Sequence, residues 1–145
     1  MTVGATAVAV LTPAGPRDVP GTLHATSELP GLPGHVEYTL APLDDSGVIF
    51  TLRSAPEGAR PVRLFVAEPH AFFPQYAPSI PASARTALGL GDDDEPVLLV
   101  VVHPADSERS QPSANLLAPL VVDTTHGRAL QVVLDEDLPL RAALG

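Results

Sequence analysis

Short apolar runs, broken every few residues by proline, glycine or an acidic turn, make up most of this chain. Val97 to Val102 is an unbroken aliphatic run, which predicts a strand buried on both faces. Leu116 to Val122 is a second apolar run, interrupted by Pro119. Asp123-Thr124-Thr125-His126-Gly127 then supplies turn chemistry, and Ala129 to Leu134 resumes as a strand. In that strand Leu130, Val132 and Leu134 share one face, with Gln131 and Val133 on the other. The segment from Ser113 to Leu134 therefore predicts a β-hairpin. Because Pro119 cannot donate to a ladder, its strand belongs at a sheet edge or contains a bulge.

The same reading places strands at residues 5–11, Thr22–Thr26, Val36–Leu40, Val48–Arg53 and Val62–Glu68. Turns are expected at Pro13–Gly21, Leu29–Gly34, Asp44–Gly47 and Ala55–Ala59, and a polar loop at His103–Ser113. One helix is predicted, over about Pro81 to Leu88. Ser79 and Pro81 mark its start, Gly89 its end, and Ile80, Ala84 and Leu88 align on one face. Many short strands and one short helix predict an all-β fold. The expected form is a small open or closed β-barrel, or rolled antiparallel sheet, in a single domain over residues 1–145.

Composition narrows the function classes. The 17 prolines argue against long helices. There is no cysteine, so neither a disulfide framework nor a thiolate metal site can form. All eight basic residues are arginine, and 17 carboxylates bring the net charge to −9. That charge disfavours direct contact with a phosphate backbone and favours basic partners. The apolar N-terminus has no basic residue before it, so it reads as a first strand rather than a secretion signal. No run approaches the ~20 apolar residues of a membrane span. A cytoplasmic protein is expected.

Catalytic and metal-binding chemistry finds little footing. The histidines at 24, 35, 70, 103 and 126 lack metal-ligand spacing. Ser110, His126 and Asp123 can be assembled into a triad on paper, but no serine sits in a nucleophile elbow. No phosphate-binding glycine motif occurs, and no cofactor is expected. Phe72-Phe73-Pro74-Gln75-Tyr76 clusters three aromatics, which suit either a plug for one end of the barrel or a rigid protein-binding anchor. Asp92, Asp93, Asp94 and Glu95 lack the alternating spacing of a calcium loop. They suit a solvated loop or a docking patch for a basic partner. Asn115, the sole asparagine, suits backbone capping or partner recognition.

Taken in order, these segments resemble the flagellar assembly factor FliW family. The landmarks are Gly31-Leu32-Pro33-Gly34 with Tyr38-Thr39-Leu40, Phe65-Val66-Ala67-Glu68-Pro69, Phe72 to Tyr76, the short helix leading to the acidic loop, and Asn115 to Asp123 with Gly127 to Leu134. His35 stands where the family has an aromatic, Gln75 where it has an acid, and Leu138 where a tyrosine is usual. Arg128 alone remains of the basic residues common in the family's last turn. The resemblance implies a non-enzymatic protein that binds flagellin and antagonises the translational repressor CsrA, coupling flagellin level to its translation. It implies a monomer when free, with no direct contact to nucleic acid or membrane. On that reading Asp92–Glu95 contribute to docking the basic repressor, while Phe72, Phe73, Tyr76 and Asn115 shape apolar contact. The alternative is a small acidic β-barrel module, for ligands or other proteins, unrelated to flagella.

Overall fold

The computed structural model describes residues 7–29, 32–58, 60–91, 93–105, 107 and 111–144. A hairpin of β1 (Ala7–Thr12) and β2 (Gly15–Pro20) forms a two-stranded sheet of its own. The larger sheet contains β3 (Thr22–Ala25), β4 (Glu37–Pro42), β5 (Ile49–Ser54), β6 (Val62–Ala67), β7 (Val97–His103), β8 (Ser113–Ala114), β9 (Leu120–Asp123), β10 (Arg128–Gln131) and β11 (Ala142–Ala143). Its order is β11-β8-β7-β6-β5-β4-β3-β10-β9, and β9 also pairs with β7. Strands β3 to β7, β9 and β10 thereby close into the expected barrel. One pair departs from the antiparallel expectation: β3 and β10 run parallel.

Alternation along the strands sorts side chains into an interior and an outer layer. Leu23, Tyr38, Leu40, Phe50, Leu52, Val66, Leu99 and Val122 belong to the interior cluster, which also takes in Val8, Val10 and Val19 from the hairpin. Each fully buried aliphatic contributes about 1.5–3 kcal/mol. Two further clusters coat the outside of the wall. One gathers Ala67, Val100, Ala114 and Leu116 around Tyr76. The other docks helix α1 (Ala82–Leu88) through Ala84 and Leu88 onto Val121, Val132 and Leu134. Leu130, partly buried, joins the same cluster, so Leu130, Val132 and Leu134 do face one way, although the strand ends at Gln131 and not at Leu134 as expected. Pro81 sits at the N-cap of α1, and Gly89 ends it at φ 71° in the left-handed region.

Three expectations change. Gly15–Pro20, expected as turn, is a strand, because Pro16 and Pro20 lie in a two-stranded ribbon that leaves one edge unpaired. Val97, Leu99 and Val100 are buried, but Leu98, Val101 and Val102 are only half-buried, so β7 is not covered fully on both faces. Pro119 does not mark a sheet edge: β9 begins just after it and pairs on both sides, with β10 and β7. The bulge is present instead. Val102 pairs with Ala114 and Leu99 with Leu120, so the partner chain advances six residues while β7 advances three.

The Tyr38 hydroxyl is buried with no hydrogen-bond partner among the described residues. Burial pushes this phenol above its ordinary range, and the charge of Glu28 adds to the shift. Tyr38→Phe keeps the ring and removes the unpaired group, so it should raise stability by about 1 kcal/mol. Urea unfolding would show this as a higher midpoint; a midpoint lowered by a similar amount would mean the hydroxyl is satisfied in solution.

Candidate partner-binding surface

The bulge leaves several backbone groups to be paired by something other than a ladder. Asn115 Oδ1 accepts from the N–H groups of Leu117 and Ala118, both at 3.1 Å. Gln131 donates to the Ala118 carbonyl at 3.1 Å, and Tyr76 donates its hydroxyl to the Leu116 carbonyl at 2.7 Å. The Leu116 N–H goes to the Pro139 carbonyl. Asn115 and Tyr76 are therefore built into the scaffold of this corner. Burial in it pushes the Tyr76 phenol well above its ordinary range, with a further push from the charge of Glu136.

Phe72 and Phe73 are half-buried on the same outer cluster. The aromatic segment thus covers the outside of the barrel wall near β6 and β7 and does not plug a barrel end. It leaves β6 through Glu68, a carboxylate only 2% exposed. Glu68 accepts from the backbone N–H of His70 and lies 2.9 Å from His70 Nδ1, which anchors the single 3-10 turn Pro69–Ala71.

Beside this turn runs a groove of about 490 Å³, between the tip of the β1–β2 hairpin and the start of β7. Tyr76 and Ile80 line it together with Glu68, His70, Arg85 and Glu95. A second depression of about 410 Å³ shares Arg17 and Glu95 with the first and is walled by Asp93, Asp94 and Asp123. The acidic loop is held in place at this border. Arg85 donates to the carbonyls of Gly91 and Asp94, and Asp94 Oδ2 accepts from the Gly91 N–H at 2.7 Å. Asp93, Asp94 and Glu95 themselves stay exposed. Asp92 lies outside the described residues.

Sequence reasoning did not pick out Arg17, Glu68, His70 or Arg85. The Glu68-Pro69-His70 spacing, a carboxylate two residues before an imidazole across a proline, was the available signal for the first turn. Arg17 donates to Thr124 at 3.2 Å and ties the hairpin to the β9–β10 turn, a contact between residues far apart in the chain.

That turn is closed by Asp123, which is 3% exposed. Its carboxylate accepts from the Thr125 N–H at 3.0 Å and from Arg128 Nη2 at 3.3 Å, and lies 2.9 Å from His126 Nδ1. Two members of the paper triad do meet, while Ser110 lies outside the described residues. The arrangement is that of a structural lock. His126 Nδ1 is also 3.0 Å from Arg128 Nη2. A Cβ at Gly89 would lie 2.8 Å from that same Nη2, a contact the flexible arginine can relieve, so it is the left-handed φ of 71° that favours glycine there. Among the described residues no group of three His, Cys, Asp or Glu side chains is placed to hold a metal ion. No helix among them is long and apolar enough to cross a membrane.

The FliW protein family model matches residues 16–144, nearly the whole described barrel and the surface just described. The chain belongs to the FliW family. It is similar to the flagellar assembly factor FliW 2 of Desulfotalea psychrophila, 34% identical over 111 residues that cover 75% of this chain and 70% of that protein. It is similar also to the flagellar assembly factor FliW of an Exiguobacterium species, 29% identical over 124 residues, with 86% and 83% covered. A crystal structure of the flagellar assembly factor FliW shares the fold, with a TM-score of 0.74 at 20% identity and 97% of each chain covered. Both of these relatives are flagellar assembly factors.

Burial raises the Asp123 carboxyl, but hydrogen bonds from His126, Thr125 and Arg128 outweigh it and hold the group below the usual aspartate range. A depressed carboxyl adds stability above its unfolded pKa and loses it as pH falls through the folded one. Asp123→Asn should therefore cost about 1–3 kcal/mol near neutrality, with the gap to the parent closing below about pH 4. Urea unfolding across a pH series reads this directly, and a gap constant with pH would disprove the lock.

Proposed function

We propose that this chain binds flagellin and antagonises the translational repressor CsrA in the cytoplasm, acting as a free monomer until it captures one of the two. The observation that carries the reading is the FliW family match across residues 16–144. The surface supports it: an exposed acidic loop, held by Arg85, borders a groove with apolar floor contributed by Tyr76 and Ile80. An RNA-binding repressor presents basic surface, and a partner of net charge −9 attracts it at long range. In this scheme the acids Asp92–Glu95 supply attraction, and Phe72, Phe73 and the corner built on Tyr76 and Asn115 supply rigid apolar contact. Secretion of flagellin then frees the protein to take up CsrA. If capture favours the RNA-free repressor, RNA must weaken capture by the same factor.

Co-elution of the purified chain with flagellin, and separately with CsrA from the same cell, tests the two partnerships. Replacing Asp92, Asp93 and Asp94 with Asn, and Glu95 with Gln, should weaken CsrA capture about tenfold at low salt, from exposed pairs of about 0.3–0.5 kcal/mol each. The difference should shrink as salt rises and the charges are screened. An affinity unchanged by the quadruple substitution at every salt concentration would remove the acidic loop from the interface. Failure to bind either protein would overturn the proposal as a whole.

A further inference from the structure

The β5–β6 hairpin reverses the charge of the rest of the molecule. Arg53 and Arg63 are direct cross-strand partners, so their side chains leave the same face of the barrel side by side, and both are exposed. Like charges in that position repel, and among the described residues neither is paired with a carboxylate. The ion pairs among the described residues involve His24, His70, His126 and Arg128 only. Arg60, also exposed, lies in the connecting loop. Glu57 is the sole acid between Ile49 and Ala67, against three arginines.

Two further features give the arginines a shape to work with. The Arg63 guanidinium carbon lies over the Phe65 ring, 5.1 Å from its centre, a cation–π contact that restrains the side chain. Between the two strands and their loop is a depression of about 370 Å³ lined by Arg53, Ser54, Ala55, Pro61, Val62 and Arg63. The pairing of β6 with β7 begins only at Phe65, so among the described residues Val62, Arg63 and Leu64 have no β7 partner in register.

This face is remote from the acidic surface. Strands β6 and β7 are antiparallel, and Arg63 lies near the start of β6, toward the end of β7. The acidic loop leads into the start of β7, at the opposite end of the barrel.

We propose that the outer face of the β5–β6 hairpin, centred on Arg53 and Arg63, binds a short acidic peptide segment of a protein partner in extended conformation. Guanidinium forks match carboxylates in a bidentate geometry, and the unpaired start of β6 suits an extended chain. A long nucleic acid is disfavoured, because the net charge of −9 repels a polyanion at a range where a few carboxylates are little affected.

The test is a titration of the isotope-labelled full chain with a short, acetylated and amidated oligoglutamate peptide, followed by NMR. Shift changes should concentrate on residues 53–64 and on the Nε–H signals of Arg53 and Arg63. R53Q/R63Q should weaken binding at least about tenfold, and R53K/R63K, which keeps charge but loses the fork, by about threefold. E57Q should tighten it about twofold. A dispersed spectrum shows that each variant is folded, and the lysine pair covers the case in which the glutamine pair is not. Changes centred on Arg17, Arg85 or Arg128, or no response to the peptide, would overturn the proposal. So would a stronger response of the same residues to an RNA oligonucleotide, or shifts that depend on protein concentration without peptide, which would assign the face to nucleic acid or to a second copy.

Discussion

Closure of the barrel rests on one strand meeting two neighbours along a single edge. Strand β7 pairs with β6 on one side; on the other it pairs first with β9, through Val97 to Leu99, and then with β8, through Val102 and His103. Strands β8 and β9 are consecutive in the chain, so the segment between them has to step out of the ladder and return. Every backbone group in that step needs a partner from elsewhere. Asn115, Gln131, Tyr76 and the Pro139 carbonyl pair five of them, from four separate parts of the sequence. Pro119 fits there because a residue that has just left the ladder needs no N–H bond, while its carbonyl still accepts from Val132. This single corner ties together the aromatic segment, the final hairpin and the C-terminal strand.

The same corner shows how far local pattern reaches. The alternation of Leu130, Val132 and Leu134, and the proline and glycine bounding α1, are local signals, and the structure keeps them. The conserved period of a strand says which face is apolar but not what will cover it. That is why Phe72–Tyr76 reads from sequence as a barrel-end plug or a protein-binding anchor, and why only tertiary contact places it on the outside of the wall. Strand β2 was hidden for a related reason: Pro16 and Pro20 read as turn residues unless a partner strand is known to need only one of its edges. Arg17 and Arg85 act through a distant hydroxyl and backbone carbonyls, and no spacing rule finds those. Asn115 illustrates the limit best. Its uniqueness in the sequence flagged it, and its two hydrogen bonds to the following turn define its structural duty.

Charge is distributed over this scaffold along the strand direction. The turns at the start of β7 and the end of β9 carry Asp93, Asp94, Glu95 and Asp123, and the one between β4 and β5 carries Asp44 and Asp45. At that end the arginines are spent on internal bonds: Arg85 on carbonyls, Arg17 on Thr124, Arg128 on Asp123. They fix the shape of an acidic surface, and of the three Arg128 is the one paired with a carboxylate. At the far end Arg53 and Arg63 face each other across the ladder, and among the described residues neither is ion-paired. A pair of like charges directly opposite costs stability in every β-sheet. Its presence on an otherwise acidic barrel is what separates the second surface from ordinary solvated decoration.

The two ends are also linked mechanically. Strands β5, β6 and β7 are neighbours in the wall, and their interior residues Phe50, Leu52, Val66 and Leu99 share one cluster. Such a core resists gradual deformation, so a ligand at one end would alter the other only by shifting the register or the bulge. The bulge is the natural place for that shift. It is pinned by side chains whose bonds can break singly, whereas the ladder on either side is cooperative. Gln131 is the most exposed of these pins to mutation without loss of the core, since its amide reaches only the Ala118 carbonyl. Coupling between the acidic surface and the arginine face would have to pass through this corner or be absent.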